Sequence, residues 1–235
     1  MEETAPMSNA PERVLGHFAT YRLTPRFWEL EPGMRRTRAL EWFQGLRVTA
    51  EVAHLYVTQG LETDGDVLVW STVQVSDTSK PGSYFAARAA AENAHRDVLE
   101  PRHVLWGMTR PSEYSRAKSA QEIDSFAPER TPYLIMYPFT KTVDWYLLDR
   151  ETRQEMMNGH IRIGKQFRDI SQLLLYSFGL QDQEFVVVYE TEDLALFSQL
   201  VHDLRDTEAR RYTKADTPLH TGILVTAEQW AETLG

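Results

Sequence analysis

Apolar and polar positions along this chain sort into two series of segments that run in the same order. In the first, a strand-like run at 17–23 precedes a helix-length stretch at 35–51, paired β-rich runs around 59–77, another helix-length stretch at 83–98 and a closing strand at 103–109. In the second, the matching segments are 133–139, 149–167, 178–193, 194–212 and 218–224. The match is closest at the paired runs. QGLETDGDVLVWSTVQVSD and FGLQDQEFVVVYETED each hold Gly-Leu (Gly60-Leu61 and Gly179-Leu180), an Asp-containing turn and then a β-rich run. Strands joined by so short a polar turn read as a β-hairpin. The stretch at 194–212 has only rough amphipathic spacing (Leu196, Leu200, Leu204, Ala209), but its length and lack of Gly or Pro favour helix.

Each half thus reads β-α-β-β-α-β, the ferredoxin-like unit given twice. The predicted fold class is α+β, with two ferredoxin-like repeats per chain. Two such sheets can pack side by side or close on each other, and the expectation is a dimeric α+β barrel with one face left for a large planar ligand. Between the halves, 110–132 holds three prolines among Ser, Glu, Arg and Lys residues and reads as a linker. The expected organisation is an N-terminal half at 1–112, a linker at 113–131, and a C-terminal half at 132–235 carrying the candidate site.

Composition narrows the function classes. The 235 residues are 42% hydrophobic and 25% charged, as in ordinary globular proteins, and suffice for a substantial core. No apolar run approaches the roughly 18 to 20 residues of a membrane-spanning helix. The start, MEETAPMSNAPER, is polar and acidic without a secretory apolar core, so a cytoplasmic location is expected. A net charge of -9 argues against nucleic acid as a partner. Zero cysteines exclude disulfides, thiolate-bound zinc, Cys-held iron–sulfur clusters and thiolate-ligated haem.

The candidate chemistry sits in one segment. Tyr137-Pro138-Phe139-Thr140-Lys141 is followed nineteen residues after Lys141 by His160. An imidazole nitrogen is a good axial ligand for iron, a phenol passes electrons or protons, and an ammonium holds a propionate. His160 shares a helix face with Met156, Ile163 and Phe167, so a satisfied core histidine is the plainer alternative. Gly159 and Gly164 shift that balance: each costs a helix interior about 1 kcal/mol against alanine, and together they suggest the close approach of something bulky. Pro138 is expected to end regular strand pairing, with a loop leading on to Trp145. Gln172 opens the apolar run 173–175 and presents a neutral amide. No HExxH, GxSxG, P-loop or GxGxxG pattern occurs, and the carboxylates are unclustered.

Four stretches taken together resemble the chlorite dismutase superfamily, and within it the coproheme decarboxylases: YPFTKTVDWYLL, MMNGHIRIGKQF, LLLYSFGLQDQEFVVVYET and LRDTEARRYTKADTPLHTG. The likeness is strongest from Tyr133 to Gly222, with LEPRHVLWGMTRPSEY extending it into the first half. The resemblance implies two ferredoxin-like halves, a homopentamer, and an iron porphyrin cofactor or substrate, haem b or iron coproporphyrin III. It implies His160 as the iron ligand, Tyr137 as the residue oxidised to attack the substrate propionates, and Lys141 as a propionate-binding group. Gln172 matches the distal position, which holds arginine in chlorite-degrading relatives. Thr217 matches a hydroxyl residue contacting a propionate, and Arg130 is the candidate for a propionate-binding arginine. The implied reaction converts iron coproporphyrin III to haem b with hydrogen peroxide, releasing two carbon dioxide molecules. A chlorite-degrading oxygen lyase and a non-catalytic haem carrier or sensor are the alternatives. Phe139 stands where methionine is frequent in the glutamine-bearing group.

Overall fold

The computed structural model describes residues 13–114 and 119–235. The first half comprises β1 (Arg13–Leu23), α1 (Pro25–Trp28), α2 (Pro32–Arg47), β2 (Val52–Val57), β3 (Val67–Val75), α3 (Lys80–Asn93) and β4 (Leu99–Met108). The second comprises β5 (Tyr133–Lys141), α4 (Val143–Leu147), α5 (Arg150–Gly164), β6 (Ser171–Tyr176), β7 (Phe185–Thr191) and α6 (Leu194–Arg205). A 3-10 turn (Glu208–Tyr212), β8 (Thr213–Ala215), β9 (His220–Val225) and α7 (Ala227–Thr233) complete it. The stretch expected as one helix to residue 212 breaks after Arg205, where the Thr207 hydroxyl donates to the Leu204 carbonyl at 2.7 Å and the chain tightens into the 3-10 turn.

All strand pairings are antiparallel, and the order is β4-β1-β3-β2 in the first half and β9-β5-β7-β6 in the second. The two hairpin turns match in backbone as well as sequence: Gly60 and Gly179 have φ of 83° and 69°, values that favour glycine. Edge strands of one half then pair with those of the other. β2 meets β9 over Leu55–Val57, and β4 meets β6 through Met108 and Tyr176, closing a ring of eight strands.

Alternation along the strands divides their side chains between the inside of the ring and its outer faces. Phe18, Tyr56, Leu68, Trp70, Leu105, Leu134, Met136, Leu173, Leu175, Val186 and Val188 form an interior core drawn from both halves. On the outer face of the first half, Tyr21, Leu55 and Val69 pack under Trp42, Phe43 and Leu46 of α2. On that of the second half, Ile135 and Tyr189 pack under Phe197 and Leu200 of α6. Both seams require close backbone approach. A Cβ on Gly107 would lie 2.9 Å from the Tyr176 carbonyl oxygen, and one on Gly222 would lie 2.7 Å from the Tyr56 Cβ.

The C-terminal helix crosses between halves. A capping box at Thr226 and Gln229 starts α7, which carries Trp230 to within 5.6 Å of the Trp42 ring and buries it and Leu234 in the first half's outer core. Removing a fully buried indole costs its transfer energy and leaves a cavity. Trp230→Ala is therefore expected to lower unfolding stability by about 3–5 kcal/mol, read as a drop in the urea midpoint.

Candidate functional site

β5 supplies the centre of the site. Leu134 and Met136 point into the ring while Ile135 and Tyr137 belong to the outer cluster. By the same alternation Phe139 and Lys141 follow Tyr137 outward, whereas Pro138 and Thr140 fall on the opposite side. The nominated segment is thus split by strand parity, with three residues on the site face and two off it. Nor does the strand stop at Pro138, as the sequence suggests. Pairing with β7 continues through Phe139 and Phe185, while on the other edge the chain leaves β9 after Met136 and picks up β8 at Thr140. The proline sits beside that gap, where a missing N–H is tolerated.

α5 starts at the N-cap Asp149, whose carboxylate accepts the Thr152 N–H at 2.9 Å. It lies against α6 and the 3-10 turn rather than on the sheet. Its inner residues, His160 among them, are half-buried, whereas α2 fully buries Ala39, Trp42, Phe43 and Leu46. Only Ile163, in its last turn, joins the apolar cluster on the sheet. Cβ atoms added at Gly159 and Gly164 would meet nothing within 4 Å among the described residues, so the side-chain positions there are open.

The C-terminal end of α5 is fixed by the linker. The Gln121 amide donates to the carbonyls of Gly164, Phe167 and Ile170 at 3.3, 2.8 and 3.0 Å, satisfying groups that a helix end leaves free. The same linker pairs with β6, the Gln172 N–H donating to the Gln121 carbonyl at 2.7 Å and the Ile123 N–H to the Gln172 carbonyl at 3.0 Å. Gln172 lies beside Tyr189 of β7, and its side chain is exposed.

His160 has no hydrogen-bond partner among the described residues, and its pKa is lowered to about 4, first by burial and then by the nearby Lys141 charge. It is neutral at pH 7, with a lone pair available to a metal. The Lys141 ammonium sits 4.2 Å from the Trp145 ring centre and 5.3 Å from that of Phe139, and donates to the Ala209 carbonyl at 3.2 Å. Burial brings its pKa down to about 8, against the opposing pull of Glu184. The Glu184 carboxylate accepts the Lys141 backbone N–H at 2.7 Å and the Tyr146 hydroxyl at 2.5 Å, pinning the end of β5. Burial first, then the Tyr189 hydroxyl, push Tyr137 well above the usual phenol range, so it is protonated at neutral pH.

Charges gather near Tyr137. Arg210 and Arg205 both approach Asp216, at 2.5 and 3.9 Å, and Asp216 and Arg205 act electrostatically on the Tyr137 phenol. Thr217 follows Asp216 and is exposed. Phe178 and Phe185 (4.9 Å), Tyr176 and Phe185 (5.4 Å), and Phe139 and Phe185 (6.2 Å) form an aromatic wall on the same face. Sequence reasoning missed Phe185, Tyr189 and Glu184. Pairing the expected strands at 133–139 and 185–189 face to face would have exposed the first two.

Arg130 is placed elsewhere. Its guanidinium is buried at the ring interior, 3.3 Å from the Glu190 carboxylate, donating to His54 Nε2 at 3.2 Å and to the carbonyls of Asp124 and Ala127, with the Trp70 ring 4.5 Å away. Glu190 shares the inward parity of Val186 and Val188, opposite to Tyr189. With its donors committed on the far side of the sheet, Arg130 is no carboxylate receptor for this site. Arg130→Ala is expected to cost about 3–5 kcal/mol by stranding Glu190, seen in denaturant melts, while leaving porphyrin affinity unchanged where the variant remains folded.

These residues fit an iron porphyrin: a neutral imidazole with no hydrogen-bond partner among the described residues, aromatic rings on the outer sheet face, and cationic groups for carboxylates. The pH dependence of iron ligation follows from His160. Its ligating form dominates above a pKa of about 4, so the imidazole–iron absorption signature should hold from neutral pH and fade only as pH falls toward 4. His160→Ala should lack that signature throughout and regain it with added imidazole.

Known proteins resemble this chain in sequence and in fold. The family model described as chlorite dismutase matches residues 36–225. The chain is 29% identical over 180 residues to a coproheme decarboxylase of Mycolicibacterium smegmatis, covering 75% of this chain and 74% of that protein. It is 25% identical over 228 residues to a chlorite dismutase of Ideonella dechloratans, covering 92% and 78%. Among solved structures, a putative chlorite dismutase superposes with a TM-score of 0.79 at 27% identity, covering 94% of this chain and 99% of the other. A variant of the Candidatus Nitrospira defluvii chlorite dismutase superposes equally well, at 0.79 and 22% identity over 96% of each chain, and speaks to the fold. The chain belongs to the chlorite dismutase family.

Proposed function

We propose that this protein is a coproheme decarboxylase, oxidatively removing two propionate carboxyl groups of iron coproporphyrin III to give haem b. The observation that carries the reading is the conjunction on one face of Tyr137, Lys141 and an unpartnered His160, with a neutral amide at Gln172. Each round consumes one hydrogen peroxide: a propionate side chain and H2O2 become a vinyl group, CO2 and two waters. The bound iron porphyrin supplies the redox centre at which peroxide is reduced. The chain's own residues bind, orient and move protons.

His160 anchors the group through its free ring nitrogen. Tyr137, held protonated by burial, gives up its hydroxyl proton and one electron together, and the resulting phenoxyl takes hydrogen from the propionate chain. Lys141, with a pKa of about 8, is mostly protonated at neutral pH, pairs with the carboxylate and can release a proton nearby. Arg210 and Arg205 strengthen the positive rim. A chlorite-degrading role is set back by Gln172, because a small oxyanion is retained better by a fixed guanidinium than by an amide.

The test is to load the purified protein with iron coproporphyrin III, titrate hydrogen peroxide and follow porphyrin mass. Two successive losses of a carboxyl group are expected. Tyr137→Phe should bind the porphyrin with unchanged affinity and lose turnover by several orders of magnitude, whereas full turnover by that variant would remove Tyr137 from the mechanism. Unchanged porphyrin mass in the parent protein would move the function to haem carriage or sensing.

A further inference from the structure

Tyr189 is the buried reactive group that the proposed mechanism leaves unused. It lies on β7 opposite Ile135, one step diagonally from Tyr137 on the same outer face of the ring. The two phenol rings are stacked, with centroids 6.3 Å apart and planes 27° from parallel. Behind Tyr189, the Phe197 ring of α6 closes at 5.1 Å, and Leu200 completes an apolar cover. The Tyr189 hydroxyl makes no hydrogen bond to backbone or to a charged side chain among the described residues, and the group acting on it is Tyr137. Buried tyrosine hydroxyls ordinarily find a polar partner. Here the phenol stacked against it is Tyr137.

Burial raises both phenols, and each acts on the other across the stacked pair. Neither phenol can ionise at neutral pH in this apolar setting, so oxidation of either must carry its proton along. The neighbouring phenol is the group with which that proton can be exchanged.

We propose that Tyr189 is a second oxidisable tyrosine that takes over the radical from Tyr137 when no propionate is in reach. In the exchange, the Tyr189 O–H bond breaks and a Tyr137 O–H bond forms: one proton and one electron pass from Tyr189 to the Tyr137 phenoxyl. Tyr137 is returned to its reduced phenol and Tyr189 holds the phenoxyl under α6. The oxidant is hydrogen peroxide acting at the bound iron porphyrin, so the inference rests on the function proposed above. Its consequence is a shelter for oxidising equivalents that arrive after the second carboxyl has left.

The test uses the full chain loaded with haem b, which offers no further reacting propionate. One equivalent of hydrogen peroxide is added, the sample is frozen within milliseconds to seconds, and electron paramagnetic resonance is recorded with natural and ring-deuterated tyrosine. The parent protein is expected to show a tyrosyl signal, identified by its narrowing on deuteration. Tyr189→Phe, which removes one oxygen and keeps the ring packing, should lose the long-lived part of that signal and bleach its porphyrin faster per peroxide. Tyr137→Phe should lose the Tyr189 radical too, because it is fed through Tyr137. A signal of identical line shape and lifetime in Tyr189→Phe, or no tyrosyl signal in the parent, would overturn the assignment. Loss of coproporphyrin carboxyl groups is measured alongside. If decarboxylation proceeds while the radical is indifferent to Tyr189, the relay fails and the proposed function stands; if the radical depends on Tyr189 but no carboxyl is lost, the reverse holds.

Discussion

The two seams that close the ring of strands are the constraint from which the rest of the structure follows. Among the described residues, strand pairing between the halves is confined to three residue pairs at β2–β9 and a single pair at β4–β6. Those contacts are short because Gly107 and Gly222 carry no side chain between the facing strands. Once closed, the ring has an interior that both halves must fill together, and Tyr56, Trp70, Leu134 and Leu175 meet there. Closure also sends every second side chain outward, where only helices can cover it. Tyr137 and Lys141, proposed here for catalysis, belong to that outward set.

The two outer faces share a topology and differ in how they are filled. In the first half α2 presses Trp42 and Phe43 onto the sheet, and Arg88 of α3 reaches the Tyr21 hydroxyl, Ser71 and Glu92, so side chains of the chain itself fill that face. In the second half α5 is only half-buried on its inner side, and the His160 ring has no hydrogen-bond partner among the described residues. The duplicated unit thus packs one face as structural core and carries the proposed binding site on the other. The ion pair of Arg130 with Glu190 and the amide contacts of Gln121 connect the two faces through the linker, which is therefore part of the site's support rather than a tether.

Lys141 and Tyr137 show how much of the chemistry is environment. Both are ordinary side chains in water. Burial beside Trp145 and Phe139 brings the lysine to about 8, within reach of proton exchange near neutrality, while burial beside Tyr189 keeps the phenol protonated. His160 is held neutral by the same desolvation, so burial sets the charge states of all three residues that the proposed function uses.

The sequence by itself determined the duplicated β-α-β-β-α-β order, the hairpin turns at Gly60 and Gly179, and the grouping of Tyr137, Lys141 and His160, because strand periodicity, turn chemistry and motif spacing are local properties of the chain. It misled at Arg130, whose composition suits a carboxylate receptor but whose position on the far side of the sheet commits it to Glu190 and His54. It was silent on α7, whose Trp230 finds its partner Trp42 across the molecule. It did not separate Phe139 and Lys141 from Pro138 and Thr140, nor connect Tyr189 to Tyr137. Those distinctions required strand register and ring closure, which arise from contacts between residues far apart in sequence, and only the tertiary structure decides which side of a sheet a residue faces and what waits there.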